Sequence, residues 1–276
     1  MIERPESFVL AGQIGQALTG RTIRQVVTQQ TAHKFAWFSG DAADYPARLT
    51  GRKIGASVSF GGFVAIEAEG MRLVFGDGVN LRWWAPGQDL PQRHQLLLGF
   101  DDGSSLTGTV QMYGGLWAFR DGENDNPYIQ TALEKPDPLG DSFDPGYFGT
   151  LWAPEDEKLS LKAFLATRQR IPGLGNGVLQ DILFAAGQHP KTRLSQLDDT
   201  ERAGLYRAVC QTLRAMADGG GRDTEKDLFG VPGGYPTQMS AKRKGLPCRV
   251  CGTPIIQEAY LGGSITYCPS CQRLKK

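Results

Sequence analysis

The sequence predicts an α+β fold: an N-terminal helix with a β-sandwich, then a helical domain, then a small module built on four cysteines. Three observations carry this. Between Thr22 and Phe119, seven short β-rich runs alternate with turns. From Lys158 to about Met216, helical patterning takes over. Near the end stand Cys248-Arg249-Val250-Cys251 and Cys268-Pro269-Ser270-Cys271, a C-x2-C-x16-C-x2-C arrangement. The expected boundaries are 1–130 for helix and sandwich, 131–157 for a linker, 158–240 for the helical domain and 241–276 for the cysteine module.

The first helix is expected over Pro5–Leu18, with Gly20 as its stop. The strands follow as Ile23–Val27, Ala56–Phe60, Val64–Ala68, Arg72–Phe75, Gln95–Phe100, Ser105–Val110 and Leu116–Phe119. Glu69-Gly70, Asp77-Gly78 and Asp101-Asp102-Gly103 punctuate them as turns. The stretch Asp121–Asp156 is rich in Pro, Asp, Asn and Gly and lacks a period, so it reads as the interdomain connection. In the helical region, a helix runs into Pro172-Gly173-Leu174-Gly175, and Asn176 opens the next helix as its N-cap. Such a turn leaves backbone N–H groups facing outward, and Gly173 and Gly175 let a phosphate approach closely. The same pattern also describes an ordinary helix corner with a capping Asn. A glycine-rich loop spans Gly219–Gly234.

The cysteine spacing suits a tetrahedral four-thiolate zinc site, with Cys248, Cys251, Cys268 and Cys271 as ligands and one structural Zn2+. Gly252–Tyr267 between the pairs is rich in Ile, Thr, Tyr and Gly, as a β-hairpin requires. From Lys242 onward stand Lys242, Arg243, Lys244, Arg249, Arg273, Lys275 and Lys276 against one acid, Glu258. A tail of +6 in a chain of +1 leaves −5 for the rest, so positive charge gathers at the metal module. That pattern suits contact with a phosphate backbone through residues such as Lys242 and Arg243. The 276 residues include no apolar run of membrane-spanning length and no secretory signal, so a cytosolic protein with reduced thiols is expected. Cys210 falls in a helical pattern as a small core residue. No P-loop, G-x-S-x-G or dinucleotide fingerprint is present.

The Gly-Leu-Gly-Asn turn, Leu183-Phe184-Ala185-Ala186-Gly187 and Cys248-Arg249-Val250-Cys251-Gly252-Thr253-Pro254 together resemble the formamidopyrimidine-DNA glycosylase/endonuclease VIII family over nearly the whole chain. The resemblance implies a helix–two-turns–helix domain, a zinc finger, and a cleft that binds damaged double-stranded DNA. Family members flip the damaged base, cut its glycosidic bond and usually cleave the strand by β-elimination. By this resemblance Arg170 and Asn176 hold phosphates flanking the lesion. It further implies base-excision repair by a monomer in a bacterial-type cytoplasm, at the nucleoid.

Four positions depart from the family pattern. The family's catalytic proline, which follows the initiator Met, is replaced: the chain begins Met1-Ile2-Glu3-Arg4-Pro5-Glu6. Gly62 stands where the family has a catalytic lysine. The intercalating Met falls at Asp77, and the Arg and Phe at Gln111 and Tyr113, so Met112 or Tyr113 is left to fill the gap of a flipped base. Gly263 replaces the finger's minor-groove arginine. Three catalytic candidates remain. The Met1 amine could form a Schiff base from one residue further out. Glu3 or Glu6 could instead activate water. Those carboxylates could equally pair with Arg4 or cap the first helix. The two functional expectations are a glycosylase of altered or lost lyase chemistry and a non-catalytic module for damaged or distorted DNA. His33-Lys34-Phe35-Ala36-Trp37-Phe38 reads as a base-stacking pocket or, more simply, as aromatics packed into the sandwich. His94 and His189 read as structural.

Overall fold

The computed structural model describes residues 1–275; Lys276, counted above in the basic tail, lies outside them. Helix α1 (Arg4–Leu18) begins one residue before the expected Pro5, because Glu3 and Glu6 form a capping box and Pro5 sits in the first turn. Its Leu10, Ile14 and Leu18 enter the first core. Then come β1 (Ile23–Thr28), β2 (Ala36–Trp37), α2 (Tyr45–Leu49), β3 (Ile54–Phe60), β4 (Phe63–Ala68), β5 (Met71–Trp84), β6 (Leu96–Phe100) and β7 (Ser105–Arg120).

The strands form a sheet ordered β1-β6-β7-β5-β4-β3, with β2 joining β7. It doubles into a sandwich because β5 and β7 serve both halves. Met71–Asp77 pairs with Arg120–Gly114 beside β4, whereas Val79–Trp84 pairs with Val110–Ser105 beside β6. The register slips between Asp77 and Val79, a bulge that bends the ribbon. Val64, Ile66, Leu73 and Phe75 from one half meet Leu81, Leu96, Leu98 and Leu106 from the other in a single core.

The sequence expectation divided β7 at Tyr113-Gly114-Gly115, but the strand is continuous there. A β-carbon on Gly115 would lie 1.8 Å from the Trp117 ring, and one on Gly114 2.8 Å from Val79, so these glycines serve close packing rather than a turn. The stretch read as a periodless connection also holds two helices, α3 (Pro127–Glu134) and α4 (Pro145–Thr150). Each starts with a capping side chain, Asn126 or Asp144, followed by Pro. Through Ile129 and Ala132, α3 covers Phe63, Ala65 and Val74 on the sheet's outer face. Phe148 of α4 enters the second core.

That core is completed by α5 (Leu161–Ala166), α6 (Asn176–Ala185) and α7 (Asp199–Asp218). The hairpin β8 (Ile256–Tyr260) and β9 (Gly263–Tyr267) closes the chain, and β9 packs on α6. No helix among the described residues is long and apolar enough to cross a membrane.

Candidate active site

A cleft of about 500 Å3 lies where the N-terminus, the β3–β4 turn, the turn before α6 and the tip of the β8–β9 hairpin meet. Its base is a junction of backbones. Arg4 N–H donates to Gly173 O at 2.8 Å, and the Ser7 hydroxyl donates to Gly61 O at 2.7 Å. A β-carbon on Gly173 would sit 2.4 Å from Gly61 C, and Gly173 has φ +79°, so only glycine fits there.

Glu3 is buried in this junction. Its carboxylate accepts from Gly177 N–H at 2.9 Å and Val178 N–H at 2.7 Å, the free donors of the first turn of α6. Arg222 reaches it at 3.2 Å and also pairs with Glu6 at 2.8 Å. Burial pushes the Glu3 carboxyl above the usual range, against the opposing pull of Arg222. For Arg222, burial works against the charge, but Glu3 and Glu6 outweigh it and push its pKa up. Glu6 lies away from the cleft wall and is fully engaged, by Arg222 and by the N–H of Glu3.

The N-terminus and Gly62, the two positions at which the resemblance expects a proline and a lysine, both line the cleft. Ile2 is a core residue, and its N–H donates to Asp77 O at 2.7 Å. The Met1 ammonium is tied to Glu225 of the glycine-rich loop at 2.6 Å. A β-carbon on Gly62 would lie 3.2 Å from Ile2 O and 3.3 Å from Gly173 Cα, so the N-terminal strand and the turn occupy the flank on which a lysine would start.

Other expected residues are placed differently from the sequence reading. Asn176 is the first helical residue and not the cap, which is Gly175; its Nδ2 donates to Ser264 O at 3.1 Å, fixing the hairpin tip beside the cleft. Arg170 is turned inward, paired with Asp156 at 2.7 Å and donating to Thr167, because a buried carboxylate needs its counter-charge. The exposed guanidinium of this turn is that of Arg168. Met112, 67% exposed, and Tyr113 stand at the cleft mouth. Lys242 is exposed, while Arg243 donates to Pro247 O. His189 packs edge-on to Tyr267, and burial lowers its pKa, in keeping with a structural role. Trp37 lines a cavity, whereas Phe38 packs on the core, so the aromatic run divides between the two readings.

Sequence reasoning missed Arg222 and Lys162. Two glutamates at a buried N-terminus needed a cation, which was the available signal for Arg222. Lys162, on α5, donates to Tyr260 O at 2.6 Å, and its Nζ stands 3.5 Å from where a β-carbon on Gly263 would be. Burial lowers its pKa. It puts a cation beside Gly263, where the resemblance implies an arginine, and no local motif announces it.

The Sγ atoms of Cys248, Cys251, Cys268 and Cys271 lie within 4.8 Å of one another. The Cys251–Cys268 and Cys248–Cys271 distances are 3.4 and 3.9 Å. These separations far exceed the ~2.05 Å of a disulfide. They bracket the ~3.8 Å edge of a tetrahedron with ~2.3 Å metal–sulfur bonds, so the four residues can hold a metal ion.

No family model matches the chain. Among curated proteins, it is 32% identical over 188 residues to the formamidopyrimidine-DNA glycosylase of Escherichia coli (strain K12 / DH10B), covering 66% of this chain and 68% of that protein. The chain belongs to the formamidopyrimidine-DNA glycosylase/endonuclease VIII family. The Corynebacterium efficiens formamidopyrimidine-DNA glycosylase is 26% identical over the full length of both chains. The crystal structure of MutM (Fpg) from Thermus thermophilus superposes with a TM-score of 0.81 at 27% identity, covering 99% of this chain and 100% of that one. Lactococcus lactis Fpg in complex with abasic-site DNA gives 0.82 at 20% identity over 98% and 99% of the chains, a likeness of fold. The likeness extends over the whole fold, cleft and cysteine module included.

Proposed function

We propose that this protein acts in base-excision repair, binding damaged double-stranded DNA in the cleft and releasing a base by hydrolysis, without an amine-based lyase step. The observation that carries this reading is Glu3: a buried carboxylate at the cleft with a raised pKa, beside an amine paired with Glu225 and a glycine where a lysine would be needed. Deprotonated Glu3 takes the proton of a water attacking C1′ of the sugar, and its charge favours the oxocarbenium-like transition state. Arg222 and Glu6 orient it. Arg168, Asn176, Lys242 and Arg243 meet phosphates, and the exposed Met112 fills the gap in the stack. Cys248, Cys251, Cys268 and Cys271 hold one zinc ion, which when bound supplies folding energy to the finger. The protein works as a monomer at the nucleoid.

One observation favours the alternative of a non-catalytic module for damaged DNA: the Glu3 oxygens already accept from two backbone amides and face Arg222. A panel of lesion-containing duplexes separates the readings. Under hydrolysis, wild-type protein releases a base without nicking, and Glu3→Gln lowers the rate by ~10²–10⁴. Because the base must be deprotonated, the rate rises with pH, with a midpoint above the ordinary glutamate value of 4.5. Binding with no base released from any duplex supports the module.

A further inference from the structure

Beside the cleft lies a second cavity, of about 490 Å3, walled by Trp37, Phe63, Tyr113, Trp117 and Tyr128 with Asp77 among them. It adjoins the cleft through Phe63, Asp77, Tyr113 and Gln169, which line both spaces. Trp37 and Tyr113 lie 5.8 Å apart at 38°, and Phe63 and Trp117 meet edge-on at 6.0 Å. Trp37 is 43% and Tyr128 63% exposed, so large rings are left facing open space.

Two acceptors that line this space are without a partner among the described residues. Asp77 makes no side-chain hydrogen bond or ion pair among the described residues, and burial alone pushes its carboxyl up. It sits at the β5 bulge with φ +59°, a conformation that costs an L-residue about 1 kcal/mol or more and persists where the surroundings impose it. The Gln169 Oε1 is buried without a partner, and Gln169 too has a positive φ, +44°. Asn126 spends its own oxygen on Tyr128 N–H and Ile129 N–H. Aromatic faces with a lone carboxylate and an orphan carbonyl match a flat ring that is positively charged and carries N–H donors.

We propose that this chamber receives a heteroaromatic cation: a purine alkylated on a ring nitrogen and swung out of the duplex at the cleft. The proposal rests on the glycosylase reading of the adjoining site. It also fits an N-terminal corner with Ile2 and Gly62 in place of a proline and a lysine. In such a base, water attacks C1′, the C1′–N bond breaks, and its electron pair goes to the ring, whose charge is neutralised. Glu3 takes the proton lost by the water. The leaving group departs neutral, so neither an amine nucleophile nor a lysine is required. The neutral product then loses its cation–π attraction to the cage and can leave. Tyr113 joins the two spaces, since its phenol feels both Asp77 and Glu3.

Full-length protein is titrated with 1-methyladenosine, a ring cation at neutral pH, and with neutral adenosine, reading tryptophan fluorescence. The expected result is saturable quenching, at least about tenfold tighter for the cation. Asp77→Asn, confirmed as folded by its thermal melt, should bring the two ligands within about twofold. Tyr128→Ala, at an exposed ring, should weaken the cation several-fold. The same variants should slow release of 7-methylguanine from a methylated duplex. Equal binding of both nucleosides, no binding of either, or a preference surviving Asp77→Asn overturns the proposal. Retained binding of wild-type protein to an abasic duplex would then leave the glycosylase reading standing; its loss would remove that reading as well.

Discussion

The two walls of the cleft differ in what they keep. The helical wall keeps a backbone device: Gly173 at positive φ, the Gly175 cap and the first turn of α6, with Asn176 at its start. The sandwich wall is defined by individual residues, with Ile2 buried, Gly62 against Gly173, and Asp77 at the bulge. Holding a duplex draws on amides and glycine turns that come with the fold. Bond-breaking draws on single side chains that can change while the fold stands. Arg222, which pairs with Glu3 and Glu6 behind the junction, is one of the links that couple the two walls, beside the bonds of Arg4 to Gly173 and of Glu3 to the first turn of α6.

The largest effect is expected outside both walls. Cys268→Ser leaves three thiolates, and elemental analysis should show loss of stoichiometric zinc together with a melted hairpin. Wild-type protein purified without bound metal would contradict this. Next, Arg222→Ala should cost ~3–5 kcal/mol in urea unfolding, because it strands Glu3 and Glu6 as buried carboxylates without a cation. A loss no larger than that of a surface substitution would show that the walls are not coupled there.

Gly62→Lys sharpens the comparison from the sandwich side. Its β-carbon meets Ile2 O and Gly173 Cα, so it should destabilise by ~1–3 kcal/mol and restore no lyase activity. Recovery of strand cleavage would mean that the lysine alone had been missing. The smallest effect belongs to the helical wall. Asn176→Ala should weaken binding to every duplex about equally, by ~1 kcal/mol, as loss of a backbone contact does. Discrimination between sequences in filter-binding titrations would argue that Asn176 reads a base instead.

Much of this was legible in the sequence, and the omissions share a cause. The cysteine spacing defined the metal cluster, because four ligands on two tight turns constrain one another locally. The Pro-Gly-Leu-Gly turn gave the start of α6 within a residue, missing only which residue caps it. The helices α3 and α4 were lost because Asn126-Pro127 and Asp144-Pro145 resemble loop composition, although an Asx cap followed by Pro also begins helices. Strand β7 was divided because Gly114-Gly115 reads as a turn until Trp117 is seen lying across it. Arg170 and Arg168 are two residues apart, and no local pattern says which one Asp156 will turn inward. The aromatic chamber draws on β2, β4, β5, β7 and α3, so only tertiary structure assembles it.

The central claim is that the N-terminal corner no longer provides an amine nucleophile. Borohydride trapping on an abasic-site duplex tests it most directly, since an imine at C1′ becomes a permanent protein–DNA cross-link on reduction. With Met1 held by Glu225, Ile2 in the core and Gly62 in the lysine's place, no efficient cross-link and no β-elimination are predicted, while the duplex stays bound. Strong trapping that disappears when the N-terminal amine is acetylated would contradict the claim and make Met1 the nucleophile.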